Sequence, residues 1–187
     1  MKISHVLRGE EHLVNTAKQL LLADKLNFLS PQFGHFPLIL NADRSKMSKR
    51  KNPVSITDDY KQAGFLPDAL INFIALLGWS SGTDREIFTL KELADEFEIS
   101  RVGKSPSIFD REKLMWMNGY YIRQKSIGEL ASNAQNFIHD KKLFRQTLAR
   151  PDYFLEAMAL VHDRLKTLGE TEALIDYFFI APQYEPS

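Results

Sequence analysis

The pattern of apolar and polar positions changes character about a third of the way along the chain. Ile3 to Leu7 is a short apolar, β-branched stretch followed by a turn at Arg8-Gly9, and it predicts a strand. Apolar residues then return at helical spacing. Leu13, Ala17, Leu20 and Leu21 share a face that Asp24 ends, and Glu10 and Glu11 fall in the first turn, where the helix dipole favours negative charge. Phe36 to Leu40, "FPLIL", predicts a second, buried strand, and "NADR" after it is turn chemistry. Strand, helix, strand makes a βαβ unit.

Beyond Asp58 the strand signals fade. Thr57 can cap a short helix ending near Gly64, and Pro67 opens "PDALINFIALLGWS", with Gly78 as its stop. Thr89 and Glu92 form a capping box for "TLKELADEF". Asp110 caps "DREKLMWMNG", which Asn118-Gly119 closes, and Ser126 with Glu129 offers a second capping box. Helical patterns continue to Ile180, broken near Pro151 and Gly169. The expectation is α/β for the first third and all-α for the rest.

A length of 187 residues suffices for a sizeable core or for two small domains. Lys and Arg number 24, Asp and Glu 24, so the chain is neutral and no general polyanion binder; contact with nucleic acid must come from local patches. The absence of cysteine excludes disulfides and thiolate zinc sites and fits a reducing compartment. With no long apolar run and no basic-then-apolar leader, a soluble cytoplasmic protein is the expectation, without a membrane partner. The five histidines have no metal-ligand spacing, and no Ser/His/Asp arrangement is suggested.

Against this neutral background, "SKMSKRKNP" from Ser45 to Pro53 concentrates Lys46, Lys49, Arg50 and Lys51, with Arg44 just before. The segment follows the second predicted strand, and ligands of open α/β sheets bind outside the carboxyl ends of strands. A solvated surface loop is one reading. The other is a phosphate grip: lysine is a compact point charge, Arg50 adds a planar fork, and the Ser48 hydroxyl can hold the loop or donate to an oxyanion. Such a loop can close over a triphosphate and neutralise the charge growing on leaving pyrophosphate. No Gly-x-x-x-x-Gly-Lys loop is present, so this is not the common nucleotide-triphosphatase grip.

The segment "SKMSKRK" resembles the KMSKS-type signature of class I aminoacyl-tRNA synthetases, in the "SKR" form of the glutamate and glutamine enzymes. "SHVLRGEEHLVNTAKQLLL", "FGHFPLIL", "GFLPDALINFIALLGWS" and "KSPSIFDREKLMWMNGYYIR" are similar, in the same order, to stretches of bacterial-type glutamyl-tRNA synthetases. The resemblance covers roughly residues 1 to 125, and the helical tail follows more loosely. It implies the C-terminal part of a Rossmann-type nucleotide-binding catalytic domain over 1–57, a helical stem-contact domain over 58–125, and the first part of a helical anticodon-side region over 126–187. The implied activity is that of a glutamate–tRNA ligase: glutamate is activated by ATP to an adenylate, then transferred to the tRNA 3′ end. The implied partners are ATP with Mg2+, L-glutamate and tRNA(Glu), with no protein-bound zinc in this segment and a monomeric state when complete.

Residue by residue, the resemblance makes Arg8 the glutamate contact. Glu11, Leu38, Ile39, Lys46, Met47, Ser48, Lys49 and Arg50 become the ATP contacts, and Lys46 and Lys49 the catalytic signature lysines. The residues by themselves also allow a surface ion pair for Arg8, a dipole-stabilised carboxylate for Glu11 and core positions for Leu38 and Ile39. Trp116, Asn118 and Tyr121 could form an RNA-stacking set, but their spacing beside Leu114 favours core. No His-x-Gly-His is found; "FGHF" (Phe33 to Phe36) precedes the predicted strand and aligns elsewhere. The resemblance therefore implies a chain lacking the N-terminal, HIGH-containing half and inactive in adenylate formation by itself. A non-catalytic tRNA-binding fragment and a glutaminyl or queuosine-type paralogue stand as alternatives.

Overall fold

A computed structural model describes residues 2–47 and 56–181. In chain order it contains β1 (His5–Gly9), a 3-10 turn (Glu10–His12), α1 (Leu13–Lys25), β2 (Gln32–Phe36), β3 (Ile39–Leu40), a π-type turn (Ile56–Lys61), α2 (Pro67–Leu76), α3 (Leu90–Glu96), β4 (Ser107–Ile108), α4 (Arg111–Arg123), α5 (Ile127–Ala134), α6 (Lys141–Ala149), α7 (Pro151–Val161) and α8 (Thr171–Phe179). The described chain is thus mixed, mainly helical with two small parallel sheets. It divides into two compact units, Met1–Asn52 with Ile74–Asp110, and Pro53–Phe73 with Arg111–Ser187.

In the first unit β1 and β2 run parallel, in register from His5 opposite Gln32 to Gly9 opposite Phe36, with α1 as the crossover. The expected βαβ unit is present, but both strands are displaced. Strand β1 begins at His5 and continues through Arg8 and Gly9, where a turn was expected. The second strand is "QFGHF" rather than "FPLIL". Pro37 has no N–H and cannot continue the ladder, so the strand ends at Phe36. Past the proline, Ile39 and Leu40 join a different parallel pair, opposite Ser107 and Ile108 of β4. Backbone bonds from Ser107 N to Leu38 O (3.2 Å) and from Phe109 N to Leu40 O (2.8 Å) extend this join. Strand β4 lies in the stretch expected to be wholly helical; with two residues it is too short to give a periodic signal.

Helix α1 forms where expected but does not bury its apolar face. Its one buried residue is Thr16, while Leu13, Val14, Leu20, Leu21 and Leu22 are exposed, Leu21 to 65%. The unit's compact core is instead Trp79, Phe88 and Leu93, with Ala75, Leu76 and Val102 against it. Helix α3 enters this core with the expected capping box: Thr89 Oγ1 accepts from Glu92 N at 3.2 Å, and Glu92 Oε2 accepts from Thr89 N at 2.7 Å. Arg85 also bonds Glu92, and its guanidinium lies 4.5 Å over the Phe88 ring. The Arg85 hydrogen bond first, then the bonds from the Thr89 backbone and side chain, hold the Glu92 carboxyl down at about 2.

The second unit packs α4 to α8 around Leu114, Met117, Ile122, Leu130, Leu143, Met158 and Ile175, all fully buried. Asn118-Gly119 does not end α4, which continues to Arg123. Asn118 is used from inside the helix: its Oδ1 accepts from Leu66 N at 2.7 Å and its Nδ2 donates to Lys166 O at 2.6 Å. The chain at Leu165–Lys166 passes over Gly119 at ordinary contact distance, a Cβ there lying 3.4 Å from Leu165 O. Gly64 does end the short segment before α2, at φ 82°, and its carbonyl accepts from Leu168 N at 3.0 Å. Ser126 caps α5 by accepting from Glu129 N, but Glu129 pairs with Lys125 instead of completing a capping box. Pro151 stands at the first turn of α7, where its missing N–H costs nothing. Among the described residues, no helix is long and apolar enough to cross a membrane.

Candidate activation site

The carboxyl end of β1 carries the first cluster. Arg8 Nη2 donates to Thr16 Oγ1 at 2.6 Å and to Gln19 Oε1 at 2.7 Å, and the guanidinium lies 5.1 Å from the Phe33 ring centroid. Thr16 Oγ1 in turn lies 3.1 Å from His12 O and 2.8 Å from His35 Nε2. The guanidinium is thus aimed by α1 on one side and by β2 on the other. Its Nε is buried and has no acceptor. An ion pair, the plainer reading of Arg8, is not found among the described residues, where its hydrogen-bond partners are the neutral side chains of Thr16 and Gln19.

Glu11 sits one turn further on, exposed, in the 3-10 turn that leads into α1. Its carboxylate folds over Gly9, so that any side chain at Gly9 would run into it. Glu11 is exposed and flexible, so a side chain at Gly9 would displace that carboxylate rather than strain the backbone. Gly9 pairs with Phe36, so the carboxyl ends of β1 and β2 lie at one edge, and β3 starts three residues past that edge.

The signature segment begins as a hairpin on β3. Leu40 and Lys46 form an antiparallel bridge, and Met47 N donates to Ile39 O at 3.2 Å. The turn is fixed by Asn41 N to Ser45 O at 2.9 Å, and by Ser45, whose N and Oγ both donate to Asp43 Oδ1. Arg44 takes the left-handed conformation, φ 63°, at the tip. Lys46 is exposed and Met47 half-buried. Leu38 is half-buried and Ile39 partly exposed, and both line an apolar pocket. Ser48, Lys49 and Arg50 lie outside the described residues. Among the described residues, no group of three or more His, Asp or Glu side chains is placed to hold a metal ion.

Two polar partners of Arg8, Thr16 and Gln19, and His35 behind Thr16 escape a reading of the sequence. The signal was present in part, since Thr16 and Gln19 stand three apart on a helix otherwise rich in leucine, and such a pair shares a face. In the second unit, Trp116 is 47% exposed although its spacing suggested core. It lies two residues from the buried Leu114, on the opposite side of α4. Asn118 is fully buried, and Tyr121 donates its hydroxyl to Asn72 Oδ1 at 2.6 Å. None of the three forms a stacking platform with another.

A parallel strand–helix–strand unit thus carries a polar-held arginine at its carboxyl edge and is followed by a hairpin bearing Arg44 and Lys46. The sequence profile described as tRNA synthetases class I (E and Q), catalytic domain, matches residues 1–116, and the chain belongs to that family. The glutamate–tRNA ligase of Symbiobacterium thermophilum is 47% identical over 183 residues, 95% of this chain and 38% of the relative. "Glutamate–tRNA ligase 1" of Fervidobacterium nodosum is 43% identical over 186 residues, 100% of this chain and again 38% of the relative. A crystal structure of a glutamate tRNA ligase from Elizabethkingia meningosepticum, in complex with its amino acid, superposes with TM-score 0.80 at 29% identity, covering 98% of this chain and 39% of that one. The glutamate–tRNA synthetase of Elizabethkingia anophelis gives TM-score 0.81, also at 29% identity, with 98% and 40% covered. The chain thus spans about two-fifths of the length of these relatives.

Proposed function

We propose that this chain carries the signature-loop part of the activation site of a glutamate–tRNA ligase, together with helical elements that contact tRNA(Glu). The observation that carries the reading is Arg8. Its guanidinium is aimed by Thr16 and Gln19 at the carboxyl edge of a parallel pair, in the stretch that matches the family. In this reading Arg8 receives the glutamate side-chain carboxylate. Glu11 meets the ATP ribose, and Leu38 and Ile39 flank the adenine. Lys46 and Lys49 neutralise the phosphates, with Ser48 and Arg50 beside them and Met47 anchoring the loop.

The reaction needs no nucleophilic side chain. The glutamate α-carboxylate attacks the α-phosphorus of ATP, which enters with its Mg2+, and pyrophosphate leaves. Catalysis is positioning plus stabilisation of charge on the departing oxygens. The adenylate then passes its acyl group to the terminal ribose of tRNA. Residues 1–57 form the catalytic part, 58–125 the stem-contact part and 126–187 the anticodon side, in a protein that acts in the cytoplasm as a monomer. The ligase matches run over nearly the whole chain, helical tail included, which supports a ligase over a shortened queuosine-type paralogue.

The test is ATP–pyrophosphate exchange in a chimera, with the matching segment of the Symbiobacterium ligase replaced by this chain. Exchange that depends on glutamate and not on glutamine is expected. Exchange driven equally by glutamine, or an unchanged rate without amino acid, would overturn the glutamate assignment. By itself the chain, which has no His-x-Gly-His, is expected to give no exchange above background.

A further inference from the structure

Thr16 stands at the centre of the Arg8 cluster. It is 7% exposed and has three polar neighbours around one hydroxyl: Arg8 Nη2 at 2.6 Å, His35 Nε2 at 2.8 Å and His12 O at 3.1 Å. A hydroxyl has one proton and two lone pairs. The guanidinium only donates and the carbonyl only accepts. The proton therefore returns to His12 O, four residues back on the helix, and the lone pairs take Arg8 and His35. His35 must then carry its proton on Nε2. On the Arg8 side, Nη2 donates to both Thr16 and Gln19, at 2.6 and 2.7 Å, which uses both of its protons. Nε is buried without an acceptor. Nη1 is left, with its two N–H groups, for an incoming anion.

We infer that Thr16 is a positioning residue for glutamate: by holding Nη2 it commits the carboxylate contact of Arg8 to Nη1, while His35 fixes the Thr16 hydroxyl from the neighbouring strand. The inference rests on the reading of Arg8 as the glutamate contact and deepens it. Valine keeps the shape of threonine but has no group to accept from Arg8. In Thr16→Val the guanidinium keeps Gln19 alone, through an exposed bond open to competition from water, and is free to turn. Serine keeps the hydroxyl and with it the hold.

The test has an arm without substrate and an arm with it. Nitrogen NMR of the imidazole groups of this chain, with the His35 signals assigned by their loss in His35→Gln, should show the neutral His35 ring protonated on Nε2. A proton on Nδ1 would overturn the inference with no further variant needed. In the Symbiobacterium chimera, read by ATP–pyrophosphate exchange, Thr16→Val should raise the glutamate KM about fivefold, the share of one hydrogen bond, and leave the ATP KM and kcat unchanged. Thr16→Ser should stay within about twofold of the unsubstituted chimera. A serine variant as impaired as the valine one, or a loss spread over both KM values and kcat, would make Thr16 merely structural and overturn the inference. Arg8→Lys separates the two readings. If it raises the glutamate KM while Thr16→Val stays within about twofold, the positioning role falls and the Arg8 reading stands. If neither variant moves the glutamate KM, both fall. An effect of Thr16→Val without one of Arg8→Lys would also overturn the inference, because Thr16 would not then act through Arg8.

Discussion

The two units solve the burial problem in opposite ways. The second buries a continuous set of leucine, isoleucine, methionine and phenylalanine side chains from α4 to α8, and it pairs Asn118 with two backbone partners and Tyr121 with Asn72, leaving Thr171 Oγ1 buried without a partner among the described residues. The first unit has a small aromatic core around Trp79, leaves the leucines of α1 exposed, and keeps Leu29 99% exposed. Its ordered polar groups, Arg8, Thr16, Gln19 and His35, hold one another at a strand end. Deep apolar packing is concentrated in the second unit, and the Arg8 cluster lies at a strand end of the first.

The sharpest way to break this comparison is to remove buried groups from the second unit. Leu130→Ala should cost about 3 kcal/mol through the cavity it leaves. Asn118→Ala should cost about as much, because Leu66 N and Lys166 O lose their partner inside the protein. Leu21→Ala on α1 should stay within about 0.5 kcal/mol. Denaturant melts of the three variants decide; equal losses would erase the distinction.

In the chimera, Arg8→Lys should raise the glutamate KM about tenfold and leave the ATP KM unchanged, since a point charge cannot replace a fork held by Thr16 and Gln19. A change below about twofold would reassign Arg8 to a structural role. A smaller effect belongs to Ser126→Ala, where losing the cap of α5 should cost about 1 kcal/mol by thermal melting.

The smallest effect is a titration. The Glu92 carboxyl is held at about 2 against an ordinary 4.5, chiefly by Arg85. A depressed carboxyl contributes stability that is full above about pH 4.5 and is lost as pH falls through about 2. Arg85→Ala should move the Glu92 midpoint, read by NMR, back toward 4.5. A midpoint that stays near 2 would place the cause in the Thr89 bonds alone.

What the sequence revealed follows from range of interaction. The capping box at Thr89, the opening of α2 at Pro67, the break at Gly64 and the βαβ order are local signals, and they are present as read. The strand at "FPLIL" was misplaced because an apolar run was weighed above Pro37, which ends one ladder before another begins. Strand β4 was invisible, since two residues have no period and the pairing with β3 spans most of the first unit. Asn118-Gly119 looked like a helix end because the pair often is one; only the fold shows the amide joining Leu66 to Lys166. At the candidate site, Arg8 was a candidate on its motif alone, whereas Thr16, Gln19 and His35 are polar groups whose contacts depend on the strand pairing and the crossover.

The central claim is that the basic hairpin after β3 handles the triphosphate during glutamate activation. It is tested most directly by Lys49→Ala in the Symbiobacterium chimera, read by glutamate-dependent ATP–pyrophosphate exchange. The account predicts a fall of about a hundredfold in the exchange rate with the glutamate KM nearly unchanged. A rate within about threefold of the unsubstituted chimera, or a loss confined to the glutamate KM, would contradict it.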